Sequence, residues 1–210
     1  QLSEVVQRFD PSIIVNLAAI HFIPYCNEHP EEAFNVNAMG CRNIIQSSLE
    51  LTNLEMFLFA SSAAVYPPRK GPNSEQSEAN PTDIYGRSKL IGEDLCRLFH
   101  QDTGVTTAAL RLFNVYGPNE TNNHLIPALL EHLDGENSTV ELGNLTPARD
   151  FIHVRDVARA FLQVATALDG GFERYNVGTG IEYSVKEVAE TIIDTSNHET
   201  TVEQASDRVR

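Results

Sequence analysis

The stretch Ser12-Ile13-Ile14-Val15-Asn16-Leu17-Ala18-Ala19 is apolar and β-rich without alternation. A strand with one wet face alternates polar and apolar residues, so a continuous run predicts a parallel strand buried on both faces. Parallel strands need a crossover between them, usually a helix. Here it begins at Pro30, with Glu31 and Glu32 in the positive first turn, and continues through Phe34, Val36, Met39, Ile44, Ile45 and Leu49. A second buried run follows at Glu55–Ala60 and a third at Thr106–Phe113. Strands alternating with helices predict a doubly wound α/β layer, with the later segments forming a smaller cap.

Leu2–Phe9 reads as the end of a helix, closed by Asp10-Pro11, and His21–His29 as an irregular, partly aromatic loop. Asn37 and Gly40 are poor helix formers placed in mid-helix; an Asn37 facing the sheet needs a backbone or ligand partner. Pro67–Pro81 reads as a surface loop. Thr82–Asp102 reads as an amphipathic helix whose apolar residues are Leu90, Ile91, Leu95, Leu98 and Phe99. Beyond it come a helix at Leu125–Leu133, a short strand at Thr139–Leu142 and a turn at Gly143-Asn144. An extended Arg149–Val154 leads to a helix at Asp156–Ala167. Tyr175–Val177 ends in the glycine turn Gly178-Thr179-Gly180, Ser184 caps a further helix, and Thr200–Arg210 fits a short strand and a polar tail.

The formal net charge of −14 argues against phosphate-backbone or anionic-membrane binding, which need clustered Lys and Arg. Cys26, Cys41 and Cys96 are widely spaced, lack a CxxC pattern and read as buried thiols in a reducing compartment. With no signal peptide and no apolar run long enough to span a bilayer, the expectation is a soluble, cytoplasmic protein. No metal site is expected.

Ligands of open parallel sheets sit at the carboxyl ends of strands. Ala18-Ala19 would let a ligand approach the backbone closely, and equally suits core packing. Ser61 and Ser62 are placed either to bind a substrate oxygen or to cap the turn into the loop. Asn114 sits just past the third strand. Tyr85 and Lys89 are four apart on one helical face. They are either an exposed i,i+4 pair or a general base, since a lysine beside a phenol favours the phenolate and lowers a pKa ordinarily about 10.

Taken together the motifs resemble the extended short-chain dehydrogenase/reductase superfamily, specifically the NAD-dependent nucleotide-sugar epimerase/dehydratase family. The resemblance is carried, in the family's order, by Asn16-Leu17-Ala18-Ala19, Asn37-x-x-Gly40, Ser61-Ser62-Ala63-Ala64-Val65-Tyr66, Tyr85-x-x-x-Lys89, Arg111–Pro118, Arg149–Val154 and Tyr175–Gly180. It implies a Rossmann-like doubly wound sheet over 1–118, rejoined by 151–177, with 119–150 and 178–210 as a small α/β substrate-binding cap. It implies Tyr85 as acid/base on a sugar hydroxyl, Lys89 on the nicotinamide ribose and depressing Tyr85, and Ser62 on the same sugar oxygen. Ala18, Ala19, Asn37, Ser61 and Phe113, with Tyr85 and Lys89, fall at cofactor-contacting positions. Asn114, Asn123, His124 and Arg149, with Ser62, fall where the family binds a nucleotide diphosphate-sugar; an arginine fork suits phosphate oxygens. It also implies a homodimer through the helices at Pro30–Leu51 and Thr82–Asp102.

This chain departs from the family in two respects. The family's first strand and glycine-rich dinucleotide loop are absent, and Gly178-x-Gly180 follows the wrong strand. The expectation is a fragment missing about two βα units, inactive alone, with the residues that choose NAD over NADP in the missing part. The acid pair that follows the catalytic Ser/Thr in the sugar 4,6-dehydratase branch is here Ala63 and Ala64, which cannot transfer a proton. That favours a nucleotide-sugar epimerase, with a 4-epimerase working by transient oxidation to a keto-sugar as the leading reading. The alternatives are a dehydratase or keto-reductase of the same family, or a non-catalytic NAD(P)-binding protein.

Overall fold

The computed structural model describes residues 2–120, 122, 124–133, 139–196 and 200–204. In chain order the first elements are α1 (Leu2–Phe9), β1 (Ile13–Asn16), α2 (Ile23–Glu28), α3 (Pro30–Phe34), a π-helical turn (Asn35–Met39), α4 (Gly40–Ser48) and β2 (Met56–Ser62). There follow α5 (Ile84–Thr103), β3 (Thr106–Leu112), β4 (Asn114–Tyr116), α6 (Leu125–Leu133), β5 (Thr139–Leu142) and β6 (Ala148–His153). The described chain closes with α7 (Val154–Ala167), β7 (Phe172–Val177), β8 (Glu182–Ser184), α8 (Val185–Ser196) and β9 (Thr201–Gln204).

The chain divides into two compact units, one of 1–113 with 156–177 and one of 114–155 with 178–210. The first holds a four-stranded parallel sheet in the order β1-β2-β3-β7. β2 is buried from Met56 through Ser61, as its unbroken apolar run predicts. β1 departs from that expectation: Ile13, Val15 and Leu17 on one face are 41%, 45% and 62% exposed. Among the described residues that face is left uncovered, and β1 is also an edge strand, with β2 on one side only. Ser61 and Ser62 are the last two residues of β2 rather than residues beyond it. His21–His29 is not wholly irregular, because Pro24 near the helix start and the aromatic Tyr25 fit the short helix α2.

The core of this unit gathers Phe57 and Phe59 of β2, Phe99 and Cys96 of α5, Cys41 of α4 and Ala109 of β3. The rings of Phe57 and Phe99 meet edge to face, 5.8 Å between centroids. The second unit has a three-stranded sheet β4-β6-β8 and the parallel pair β5-β9. Its core joins Leu129, Leu133, Val140, Ala189 and Ile193. Ser184 and Glu187 form a capping box at the start of α8: Glu187 N donates to Ser184 Oγ at 3.2 Å and Ser184 N to Glu187 Oε2 at 2.7 Å. No helix among the described residues is long and apolar enough to cross a membrane.

Candidate active site

The site in the first unit is built on α5. Asp83 caps it, its Oδ1 accepting from Gly86 N at 2.8 Å, and Gly104 ends it in the left-handed region at φ +77°. The face turned to the sheet is not the apolar one that its periodicity marks. Leu98 is exposed, Leu90, Ile91 and Leu95 are half-buried, and the buried residues are Gly86, Ser88, Lys89, Gly92, Glu93, Cys96 and Phe99. Close approach explains the choice. A Cβ on Gly86 would lie 2.2 Å from the Ala64 carbonyl oxygen, and one on Gly92 would lie 2.4 Å from the Phe59 ring. The helix therefore packs on the sheet through glycine at Gly86 and Gly92, with Phe99 against Phe57, while Leu90, Ile91, Leu95 and Leu98 stay partly or fully exposed.

Ser62, Tyr85 and Lys89 come together where β2 ends. Ser62 meets the capping reading: its Oγ accepts from Ala64 N at 3.1 Å, closing the turn Ala63–Val65, and it stands near enough to Tyr85 to pull the phenol's pKa down. Lys89 is 3% exposed, donates from Nζ to the Ala60 carbonyl at 2.8 Å, and stacks 5.1 Å over the Phe59 ring. Its ammonium stands 5.8 Å from the centroid of the Tyr85 ring. The titration of the pair runs against the sequence expectation. Burial pushes the Tyr85 phenol up to about 12, against the downward pull of Ser62, and burial lowers Lys89 to about 8. With Lys89 turned to the Ala60 carbonyl, loss of water outweighs its charge at Tyr85.

The other first-unit residues of the predicted site surround these. Asn37, buried in the π turn, finds the partners its position demands. Oδ1 accepts from Ile20 N at 2.7 Å, and Nδ2 donates to the Ile20 carbonyl at 2.9 Å and to Ser88 Oγ at 3.1 Å. It thereby ties the chain beyond β1 to α5. Ala18 is exposed just past β1, its N–H on Asn16 Oδ1 at 3.2 Å, and Ala19 is half-buried. Phe113, past the end of β3, donates its N–H to the Val177 carbonyl at 3.1 Å. This set fits the nicotinamide-ribose half of NAD. Lys89 uses one of its three N–H donors on Ala60, and alanines offer little to obstruct a ring beside the strand end. The glycine-rich loop for the pyrophosphate is not in this sequence, whose first glycine is Gly40.

Sequence reasoning missed a buried ionic cluster beside this set. Glu93 of α5 is fully buried and receives Arg111 of β3 bidentately, Nε at 2.8 Å and Nη2 at 2.7 Å, together with Arg174 Nε at 3.0 Å and Ser61 Oγ. Burial opposes the Arg111 charge, and Glu93 more than restores it. Arg111 Nη1 also donates to Tyr66 Oη at 2.7 Å, and Tyr66 donates to Asn176 Oδ1 at 2.7 Å. Asn176 N donates to Glu75 Oε1 at 2.9 Å, so the surface loop 67–81 is tied to the sheet at that point. The available signal was an arginine inside an otherwise apolar strand, which requires a buried acid.

Three of the predicted substrate residues lie in the second unit. Asn114 Nδ2 donates to the Asp150 carbonyl at 3.1 Å, which sets it beside Arg149. Arg149 is exposed, its Nη1 donating to the neighbouring Ala148 carbonyl at 2.8 Å. Asp150 holds the glycine turn through Thr179 N at 2.9 Å and Gly180 N at 2.8 Å. His124 precedes α6, with Nδ1 3.5 Å from Glu120 Oε1. Asn123 lies outside the described residues.

Comparison with known proteins identifies relatives of this chain and of its fold. Over 97% of its length the chain is 30% identical to GDP-6-deoxy-D-talose 4-dehydrogenase of Aggregatibacter actinomycetemcomitans, spanning 68% of that protein. Over 91% it is 32% identical to a putative UDP-glucose 4-epimerase of Methanocaldococcus jannaschii, spanning 63% of it. Its fold superposes on MoeE5 in complex with UDP-glucose and NAD with a TM-score of 0.89 at 30% identity, covering 100% of this chain and 70% of that one. The family model described as the NAD dependent epimerase/dehydratase family matches residues 1–178, and the chain belongs to that family.

Proposed function

We propose that the protein carrying this chain is an NAD-dependent nucleotide-sugar epimerase, acting at C4 of the sugar through a transient keto-sugar. The observation that carries this reading is the meeting of Ser62, Tyr85 and Lys89 at one strand end, with Ala63 and Ala64 as the next residues. Ser62 would hold the reacting sugar hydroxyl against Tyr85, and Tyr85 would take its proton. Lys89, with Ala18, Ala19, Asn37, Ser61 and Phe113 around it, would hold the nicotinamide half of NAD, which would supply reversible hydride chemistry at the same carbon. Tyr85 then gives the proton back, so the sugar is inverted with no net redox change. Ala63 and Ala64 cannot shuttle the further proton that elimination of water needs. For Tyr85 to act near neutral pH its pKa must fall from about 12. Lys89, charged below about pH 8, is the residue able to lower it by turning from Ala60 toward the phenol.

Asn114, Asn123, His124 and Arg149 are proposed to bind the nucleotide diphosphate. The half-buried apolar residues of α5 and the exposed Val36, Met39 and Leu98 support a homodimer through 30–51 and 82–102. A cytoplasmic location goes with three unpaired, buried thiols. The 210-residue chain alone is proposed to be inactive, because it lacks a glycine-rich pyrophosphate loop.

The test is to supply the whole protein with UDP- and GDP-hexoses and follow them by proton NMR. Interconversion of C4 epimers is expected, and Tyr85→Phe should reduce it by about 10²–10⁴-fold. Loss of water, or nicotinamide turnover in step with the sugar, would reject epimerisation. The second of these outcomes would favour the keto-reductase reading, which similarity to a sugar 4-dehydrogenase supports. Full turnover by Tyr85→Phe would favour a non-catalytic role for Tyr85.

A further inference from the structure

Glu93 takes no part in the chemistry proposed above, yet its carboxylate is fully engaged. Oε1 accepts from Ser61 Oγ and Arg111 Nε, and Oε2 accepts from Arg111 Nη2 and Arg174 Nε. A carboxylate offers about four lone-pair directions, so none is left over. The bidentate Arg111 fixes the plane of the group, which leaves Ser61 held by an anchored acceptor. Ser61 and Arg111 are register partners on β2 and β3, so the anchor sits at one level of the sheet. Glu93 stands one turn beyond Lys89 and two beyond Tyr85 on the same face of α5.

The position of Ser61 gives this cluster its meaning. On one side of it is Ala60, whose carbonyl accepts from Lys89 Nζ at 2.8 Å; on the other is Ser62, the neighbour that pulls the Tyr85 pKa down. The one residue of β2 that Glu93 grips is therefore the residue between the two that touch the catalytic pair. We infer that Glu93 is a positioning residue, which sets the end of β2 against Tyr85 and Lys89 through the hydroxyl of Ser61. This rests on the function proposed above.

Ser61→Ala in the whole protein removes the link and leaves the Glu93–Arg111–Arg174 cluster in place. The expected result is a thermal midpoint within a few degrees of wild type and unchanged NAD content. kcat should fall on the order of 10–100-fold with KM altered less than about threefold, as a small misplacement of reacting groups predicts. Adding Glu93→Gln should lower kcat little further, because both substitutions act through one link; if that variant does not fold, Ser61→Ala decides. A second readout needs no turnover. Lys70 and Lys186 of this chain are exposed, so ¹³Cε NMR, with the Lys89 signal assigned by its loss in Lys89→Met, can follow Lys89 separately. The titratable groups that act on it are Cys41, Cys26 and Cys96, with the Tyr85 ring nearby, and Ser61→Ala changes none of them. Loosening Ala60 and Ser62 admits water, so the Lys89 titration should move upward, toward the two exposed lysines. Wild-type kcat together with an unmoved Lys89 in Ser61→Ala would overturn the assignment. A wild-type protein that turns over no sugar nucleotide would overturn the function reading instead, and the Lys89 titration then decides the geometry by itself.

Discussion

Lys89 and Tyr85 differ from their ordinary selves because one stretch of α5 removes both from water, and this makes folding stability depend on alkaline pH in a specific way. Lys89 titrates at about 8 in the fold against 10.5 ordinarily, so in that window the unfolded chain binds more protons and stability rises with pH. Tyr85 titrates at about 12 against 10.0, so its contribution is present below pH 10 and is lost between about 10 and 12. At 1.36 kcal/mol per pKa unit, the Lys89 limb is worth about 3 kcal/mol. Urea unfolding of Lys89→Met should lack the rise that wild type shows between pH 8 and 10, and the variant should be the more stable of the two at pH 7. The Tyr85–Lys89 spacing was legible in the sequence, but the direction of these shifts was not. Desolvation depends on what packs around a group, and spacing along a helix carries no information about that. Glu93 escaped for the same reason: a glutamate four residues after a lysine reads as a surface pair until Arg111 and Arg174 are seen converging on it.

Among the elements, α5 was legible in extent and misleading in orientation. Its cap and its glycine stop are local signals, whereas its buried face is decided by how near the helix must come to β2. Two glycines separate these effects. Gly86→Ala sets a methyl against the Ala64 backbone and should push the helix from the turn that follows Ser62, costing about 1–3 kcal/mol and most of the turnover. Gly104→Ala meets nothing within 4 Å but sits at φ +77°; it should cost about 1–2 kcal/mol and leave turnover intact. Thermal unfolding and the NMR assay on the same two variants check both. β1 shows the converse failure: its unbroken apolar run identified a strand, but burial on both faces also needs neighbours, and the run cannot say how many.

For the whole molecule, the alternation of buried strands and helices was enough to give the parallel sheet. Chain order alone did not give the exchange of segments between the two units; that expectation came from the family resemblance. Ile13, Val15 and Leu17 leave an apolar face on an edge strand, which is a surface prone to association. The 210-residue chain should therefore self-associate in light scattering, and Val15→Lys should reduce this. The discontinuity of the first unit also imposes an order of events on synthesis. β3 is complete at Leu112, while its partner β7 starts at Phe172, a wait of roughly 3–12 s at ribosomal speeds of about 5–20 residues per second. Glu93 and Arg111 leave the ribosome close together, but Arg174 follows Glu93 by 81 positions. The nascent chain must hold half of its ionic clasp, with one sheet edge open, until the first segment of the other unit has been made.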